Sequence, residues 1–406
     1  MWWFIVKEKK EIENKKITPK KTILGIQMLF VAFGATVLVP LLIGIDPSIA
    51  LFTAGAGTLL FHLITGGIVP VFLGSSFVFI VPIIAATTMY GYSGALSGLI
   101  AAGVLFLIVS FIIRKKGIPF IKKLFPPIVV GPVIMIIGLS LSTVAVDMAS
   151  HDWILAILTL IFAITIVIFG KRTFKLLPII GSIIIAYILA VILGKVDFSA
   201  ITNASWISIP QFITPTFSLG AILFILPVAI APMIEHIGDM YAVSKAVGKD
   251  FVKKPGIQRT LMGDGFATIF AGFFGGPPNT TYSEVTGAIV LTKLKDPVIL
   301  RIAAITAICF AFIGKISGFL QTIPDSILGG TMFLLFGMIT VVGIKSITDS
   351  TTDLNKTKNM IIVGVMLIIG VGGAIITAGT FSLAGVGLAS VTGIILNFVL
   401  PDKEIE

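Results

Sequence analysis

Between residues 23 and 400 the chain is one apolar stretch after another, each close to the length of a membrane crossing and each ended by a short loop. A helix needs about 20 apolar residues to cross a ~30 Å hydrocarbon core. The pattern therefore predicts an all-α polytopic membrane protein. Fourteen segments are expected, at 23–42, 49–66, 68–90, 93–113, 126–146, 153–169, 176–194, 218–244, 260–275, 279–292, 302–320, 327–344, 359–377 and 383–400. The ninth and tenth are too short to cross as straight helices, which predicts a break between them.

Composition agrees. Hydrophobic residues make up 56% and charged residues 12%, with a mean hydropathy of +1.10, far outside the range of soluble domains. The net charge of +10 is no sign of a nucleic-acid partner, because the basic residues lie in short loops between apolar runs. With the N-terminus inside, all but Lys195 and Lys315 of the 29 Lys and Arg fall on the cytoplasmic side, as the positive-inside rule requires. Both termini are thus expected in the cytoplasm and the chain in the cell membrane. The basic stretch Lys7 to Lys21 leads into a full-length span without a cleavage site. Cys309 is the single cysteine, so neither an internal disulfide nor a metal cluster is implied.

Fourteen divides into two sevens, and an odd-numbered repeat has to be inverted in the membrane. PPIVVGPVIMIIGLSL in the fifth segment resembles PDSILGGTMFLLFGMI in the twelfth. The third segment, with VPVFLGSSFVFIVP, and the tenth, with GGPPNTTYSEVTG, occupy corresponding places. Both are interrupted by Gly, Pro and hydroxyl residues. Irregular backbone at membrane depth survives only where protein or a water-filled cavity surrounds it. Paired interruptions of this kind mark the binding site of a transporter, although a single one also serves simply to pack small residues.

Four acidic residues fall within the expected segments: Glu235, Asp239, Asp264 and Glu284. Each is costly in a membrane unless paired, protonated or hydrated, which makes each a functional candidate. Glu235 lies ten residues before Lys245 and Glu284 nine before Lys293. At ~1.5 Å per residue both sit about 15 Å from the cytoplasmic face, near the midplane. Glu235 and Asp239 are spaced i,i+4 and share a helix face; two close carboxylates disfavour double ionisation and so are suited to holding a proton. His236 points about 100° away from Glu235 and reads as a packing residue, as does His62. Asp264, in a shallower GDG, reads as a supporting residue bonded to backbone or to another segment. Lys315 is open between snorkelling outward and pairing with a carboxylate.

Carboxylates accept hydrogen bonds and the N–H groups at broken-helix ends donate them. A planar ligand alternating ring N–H with C=O fits both, and Phe77, after Ser76 in GSSFVF, can stack on such a ring. No arginine lies within a segment, so a simple anion fits poorly. Neither HExxH nor a Walker motif is present, and neither an enzyme nor a cofactor is expected. A passive channel or facilitator remains the alternative to an ion-coupled carrier.

IQMLFVAFGATVLVPLL, GTLLFHLITGGIVPVFLGSSFVFI, the Glu235-His236 pair, GFFGGPPNTTYSE and PDSILGGTMFLLFGMI together resemble the nucleobase–ascorbate transporter family of uracil and xanthine permeases. The resemblance covers nearly the whole chain. It implies a tail at 1–22, a core domain from 23–113 and 218–320, and a gate domain from 114–194 and 327–400 that usually dimerises. It also implies short antiparallel strands in the third and tenth segments. Glu235 and Glu284 would hold the ring N–H groups of a nucleobase. The backbone N–H groups of Phe77 and Ser283 would meet its carbonyls, with Ser76 and Tyr282 beside them and Asn279 in support. Glu284, where xanthine-type members tend to carry Gln, favours uracil. Asp239 stands where some uracil permeases have His, and Ser283 replaces a common Gly. A proton, or sodium, is the implied coupling ion, carried by Glu235 and Asp239.

Overall fold

The computed structural model describes residues 18–117, 119, 125–171, 177–292, 294–350, 352–378 and 381–401; the tail before Thr18 lies outside them. The described chain is mostly helical. Among the described residues, six helices are long and apolar enough to cross a membrane, or seven with one pair bent by 83°.

Helix starts follow local chemistry. Helix α1 (Pro19–Leu42) is capped by Thr18, whose hydroxyl accepts from Lys21 N at 3.3 Å. Asp46-Pro47 opens α2 (Pro47–Ile64) and Asp296-Pro297 opens α12 (Pro297–Ala311), each Asp accepting from a backbone N–H two residues on at 2.8 and 3.0 Å. Both pair a side-chain cap with a proline that needs no hydrogen-bond partner. The third and fourth expected segments join as one helix, α3 (Ile80–Lys116), with a non-helical Gly91 at φ 72° where the break was placed. Only glycine takes that backbone conformation without strain, so the helix bends there.

Next come α4 (Pro127–Ser150), α5 (Trp153–Phe169) and α6 (Pro178–Ile192). A short α7 (Ser199–Asn203) precedes α8 (Leu219–Ile225), which passes through a 3-10 turn at Leu226–Ala229 into α9 (Ile230–Val247). Then follow α10 (Ile257–Phe273) and α11 (Ser283–Thr292). The expected eleventh segment is the bent pair, α12 and α13 (Gly314–Gln321). Beyond it lie α14 (Asp325–Thr348), α15 (Thr357–Val371) and α16 (Gly385–Val399).

Among the described residues, two small antiparallel ribbons interrupt the helices. Strand β1 (Leu73–Ser75) pairs with β2 (Asn279–Thr281), with Gly74 opposite Thr280. Strand β3 (Ile375–Ala378) pairs with β4 (Phe381–Ala384), across the end of the thirteenth expected segment and the start of the fourteenth. Helices approach closely through glycine, as membrane packing favours. A Cβ on Gly131 of α4 would meet Gly343 O of α14 at 2.9 Å, and one on Gly343 would meet Gly131 O at 2.7 Å. Gly103 of α3 and Gly265 of α10 are related in the same way, at 2.8 and 3.0 Å. The two segments that resemble each other in sequence, α4 and α14, therefore pack directly on one another.

Candidate functional site

Each strand of the first ribbon is only three residues long, too short to be stable alone, so side chains from neighbouring helices hold it. On α2, the Thr58 hydroxyl accepts from Leu73 N at 2.9 Å and donates to Leu73 O at 3.3 Å. His62, one turn further on, meets Val71 O through Nε2 at 3.0 Å. On the other strand, Asn279 Nδ2 donates to Thr53 O at 2.8 Å, and Thr268 of α10 donates to Asn279 O at 3.0 Å. Gly57 leaves room for that amide, since a Cβ there would lie 2.7 Å from Asn279 Nδ2. All these residues are buried. Unpaired polar groups there would cost several kcal/mol each, so the bonding dictates where the ribbon sits.

A short helix starts at the end of each strand. After β1, Ser76 N donates to Pro278 O at 2.9 Å and a 3-10 turn, Phe77–Phe79, leads into α3. After β2, α11 begins at Ser283, and its Thr286 N returns to Tyr282 O at 3.1 Å. The N–H groups of a first helical turn have no partner within the helix and attract acceptors. Phe77 and Ser283 both occupy such turns. The Phe77 ring meets Phe336 of α14 edge-on, with centroids 6.1 Å apart. The side chains of Ser283 and Glu284 lie outside the described residues, as does every contact they make.

The acidic face of α9 meets the second strand. Asp239 is buried and its Oδ2 accepts from Thr281 Oγ1 at 3.0 Å. Glu235, one turn earlier, is half-buried. His236 is fully buried, with Nδ1 2.8 Å from Asp264 Oδ2 and Nε2 2.8 Å from Thr260 Oγ1. Asp264 thus finds its partner on another helix, one of the two arrangements expected of it. The Tyr282 hydroxyl donates to Ser75 O at 2.8 Å and braces the ribbon. Lys315 meets no carboxylate among the described contacts; its ammonium donates to Ile201 O and Thr202 O at 2.7 and 3.2 Å, capping α7.

On α2, Phe52 gathers an aromatic cluster with Phe212, Phe270, Phe274 and Phe312. A groove of about 510 Å³ lies elsewhere, between α3 and residues 215–226. Its walls, among them Val104, Ile108 and Phe217, are apolar and exposed, so it suits a lipid chain better than a polar ring. Thr281, Thr260, Thr58 and Thr268 escaped the sequence reading. Only Thr281 had a visible signal there, the hydroxyl-rich NTTYSE.

Residues 19–379 match the model of the Permease family, Xan_ur_permease. Over 391 residues the chain is 46% identical to a probable uracil permease of Pasteurella multocida, covering 94% of each. It is 40% identical over 409 residues to the uracil permease of Bacillus caldolyticus, covering 97% of this chain and 95% of that one. In three dimensions it resembles the transmembrane domain of the cyanobacterial bicarbonate transporter BicA, with a TM-score of 0.62 and 14% identity over 94% of this chain and 98% of the other; that likeness concerns the fold alone. With a family match across most of its length and such close relatives, the chain belongs to the xanthine/uracil permease family and is a multi-pass membrane transporter, not an enzyme.

Proposed function

We propose that the protein imports uracil by proton symport across the cell membrane. Its ring N–H groups are held by Glu235 and Glu284, and its carbonyls by the backbone N–H groups of Phe77 and Ser283. The observation that carries this reading is the ribbon: two helix N-termini start from one buried strand pair beside the acidic face of α9. Such a site offers donors and acceptors together, as a ring with alternating N–H and C=O requires. The names of the relatives at 46% and 40% identity supply the choice of uracil. Asp239, close to Glu235 on one face, provides the second carboxylate for a shared proton. The remaining parts of the reading are fourteen segments in two inverted repeats, core and gate domains divided as above, cytoplasmic termini and a homodimer joined through the gate domain.

Uptake of radiolabelled uracil into proteoliposomes tests the substrate, with xanthine, hypoxanthine and adenine as competitors. Saturable uptake competed only by unlabelled uracil is the expected result. Uptake blocked more strongly by xanthine would make the protein a purine-base permease. An imposed pH gradient tests the coupling: accumulation that follows sodium and ignores pH removes the proton, and equilibration without accumulation makes the protein a facilitator.

A further inference from the structure

A buried chain of side chains ties α10, α9 and β2 together at one point. Thr260 Oγ1 lies 3.1 Å from Ile257 O and 2.8 Å from Nε2 of His236, which joins the imidazole to α10. That leaves Nδ1, 2.8 Å from Asp264 Oδ2. At this distance one proton lies between ring and carboxylate, whichever atom owns it. Thr281 Oγ1 approaches the same Nδ1 at 3.5 Å and gives its own hydrogen to Asp239 Oδ2 at 3.0 Å. Every member of the chain is buried.

Its place in the fold gives it a task. The far end of β2 is anchored to α2 and α10 through Asn279. The Thr281 side chain reaches α9 instead, and Thr281 is two residues before the start of α11. His236 sits between Glu235 and Asp239 on α9, so a rotation of α9 moves both acidic side chains and the imidazole as one body.

We propose that His236 is a positioning residue: paired with Asp264 and linked through Thr281 to Asp239, it locks the end of β2, and with it the first turn of α11, against the acidic face of α9. This rests on the reading that Glu235 and Glu284 hold the substrate between those two helices. The pair sets the separation of α9 from the first turn of α11 and touches no substrate itself. Neutralising one member leaves the other buried without its counterpart, which is costly, whereas neutralising both does not.

The test uses the full chain with Cys309 replaced by Ser and spin labels at the exposed positions 242 and 287, one on α9 and one on α11. Thr281→Val keeps the shape and removes the hydroxyl; Thr281→Ser restores it. His236→Gln and the double variant H236Q/D264N test the pair. Thr281→Val and His236→Gln are expected to broaden the distance distribution between the labels and to weaken uracil binding on the order of tenfold. Thr281→Ser should return both readouts to wild type. H236Q/D264N should regain melting temperature relative to H236Q without regaining affinity. A role in stability alone would lower the melting temperature and leave distance and affinity unchanged. Should His236→Gln fail to fold, the Thr281 variants decide. Wild-type affinity and an unchanged distance in Thr281→Val overturn the proposal. If the wild type binds no uracil yet the distance still broadens in Thr281→Val, the positioning role stands and the substrate reading falls.

Discussion

The seam between α4 and α14 and the ribbon of β1 and β2 are both buried, and they are held by opposite means. At the seam, backbone meets backbone: Gly131 and Gly343 each face the other's carbonyl, and Gly138 faces Phe336 O at 2.6 Å from its would-be Cβ. Nothing in those contacts is directional, so the seam is specified by shape. At the ribbon, backbone groups that a helix would pair internally are met by Thr58, His62 and Thr268, and the Asn279 amide ties the second strand to Thr53 O of α2. There the strands are positioned by hydrogen bonds, each with its own direction. A packed seam suits a body that moves as a unit; a hydrogen-bonded ribbon suits a site that must present donors and acceptors at fixed points.

The largest effect should come from filling the seam. Gly131→Leu places a side chain where even a Cβ has too little room. We expect a loss of folding stability of at least ~1–3 kcal/mol, read as a lower melting temperature in detergent, with normal uracil affinity in the fraction that folds. Lost affinity in a stably folded variant would erase the distinction between the two regions.

Glu284→Gln makes the reverse experiment at the other region. It replaces one acceptor oxygen with a donor, which under the proposed binding mode opposes a ring N–H, a mismatch worth ~1–3 kcal/mol. Binding should weaken by roughly tenfold or more at an unchanged melting temperature, measured by titration calorimetry. Wild-type affinity would remove Glu284 from the site.

Asp239→Asn should act more selectively. It retains an acceptor oxygen for Thr281 but cannot share a proton with Glu235. We expect pH-driven accumulation of uracil to fall severalfold while equilibrium exchange falls by less than about twofold, since hydrogen bonds to a retained acceptor are worth only ~1 kcal/mol. Equal losses in the two assays would assign Asp239 to binding alone.

The smallest effect belongs to an exposed pair that neither region uses. Asp152 caps α5, accepting from Leu155 N at 3.2 Å, and pairs with Lys195. The hydrogen bond from Lys195 is the main cause holding this carboxyl below its usual range, helped by the backbone N–H of Leu155. A depressed carboxylate stabilises the fold above its unfolded pKa of about 4, and that contribution fades as pH falls through the folded value. Lys195→Met should lower stability at pH 7 by less than about 1 kcal/mol after solvent screening and flatten the loss between pH 5 and 3. Thermal melts across that range, with unchanged uptake at pH 7, check it.

Much of this was legible in the residues. Apolar run length announces a membrane bundle because hydrocarbon tolerates few alternatives. Gly91, Pro277 and Pro278 mark broken backbone, and Glu235, Asp239 and Asp264 stand out because charge is expensive there. Less legible were the partners. Asp264 and His236 are 28 positions apart, Thr281 and Asp239 are 42, and no local periodicity relates either pair. The β3–β4 pair lies where the thirteenth expected segment ends and the fourteenth begins, because residues 375–377 and 383–384 have the composition of a span. Lys315 caps α7 from a helix more than a hundred residues away.

By itself, then, the sequence determined the solvent this chain folds in, the places where its helices must break, and which few ionisable groups enter the membrane. Those are one-dimensional properties, set by transfer energies and by the backbone preferences of glycine and proline. The tertiary structure alone decided which hydroxyl satisfies which carbonyl, that His236 faces Asp264, and that α4 lies against α14. A hydrogen bond or a glycine contact needs two groups within about 3 Å, and only the folded chain brings those groups together.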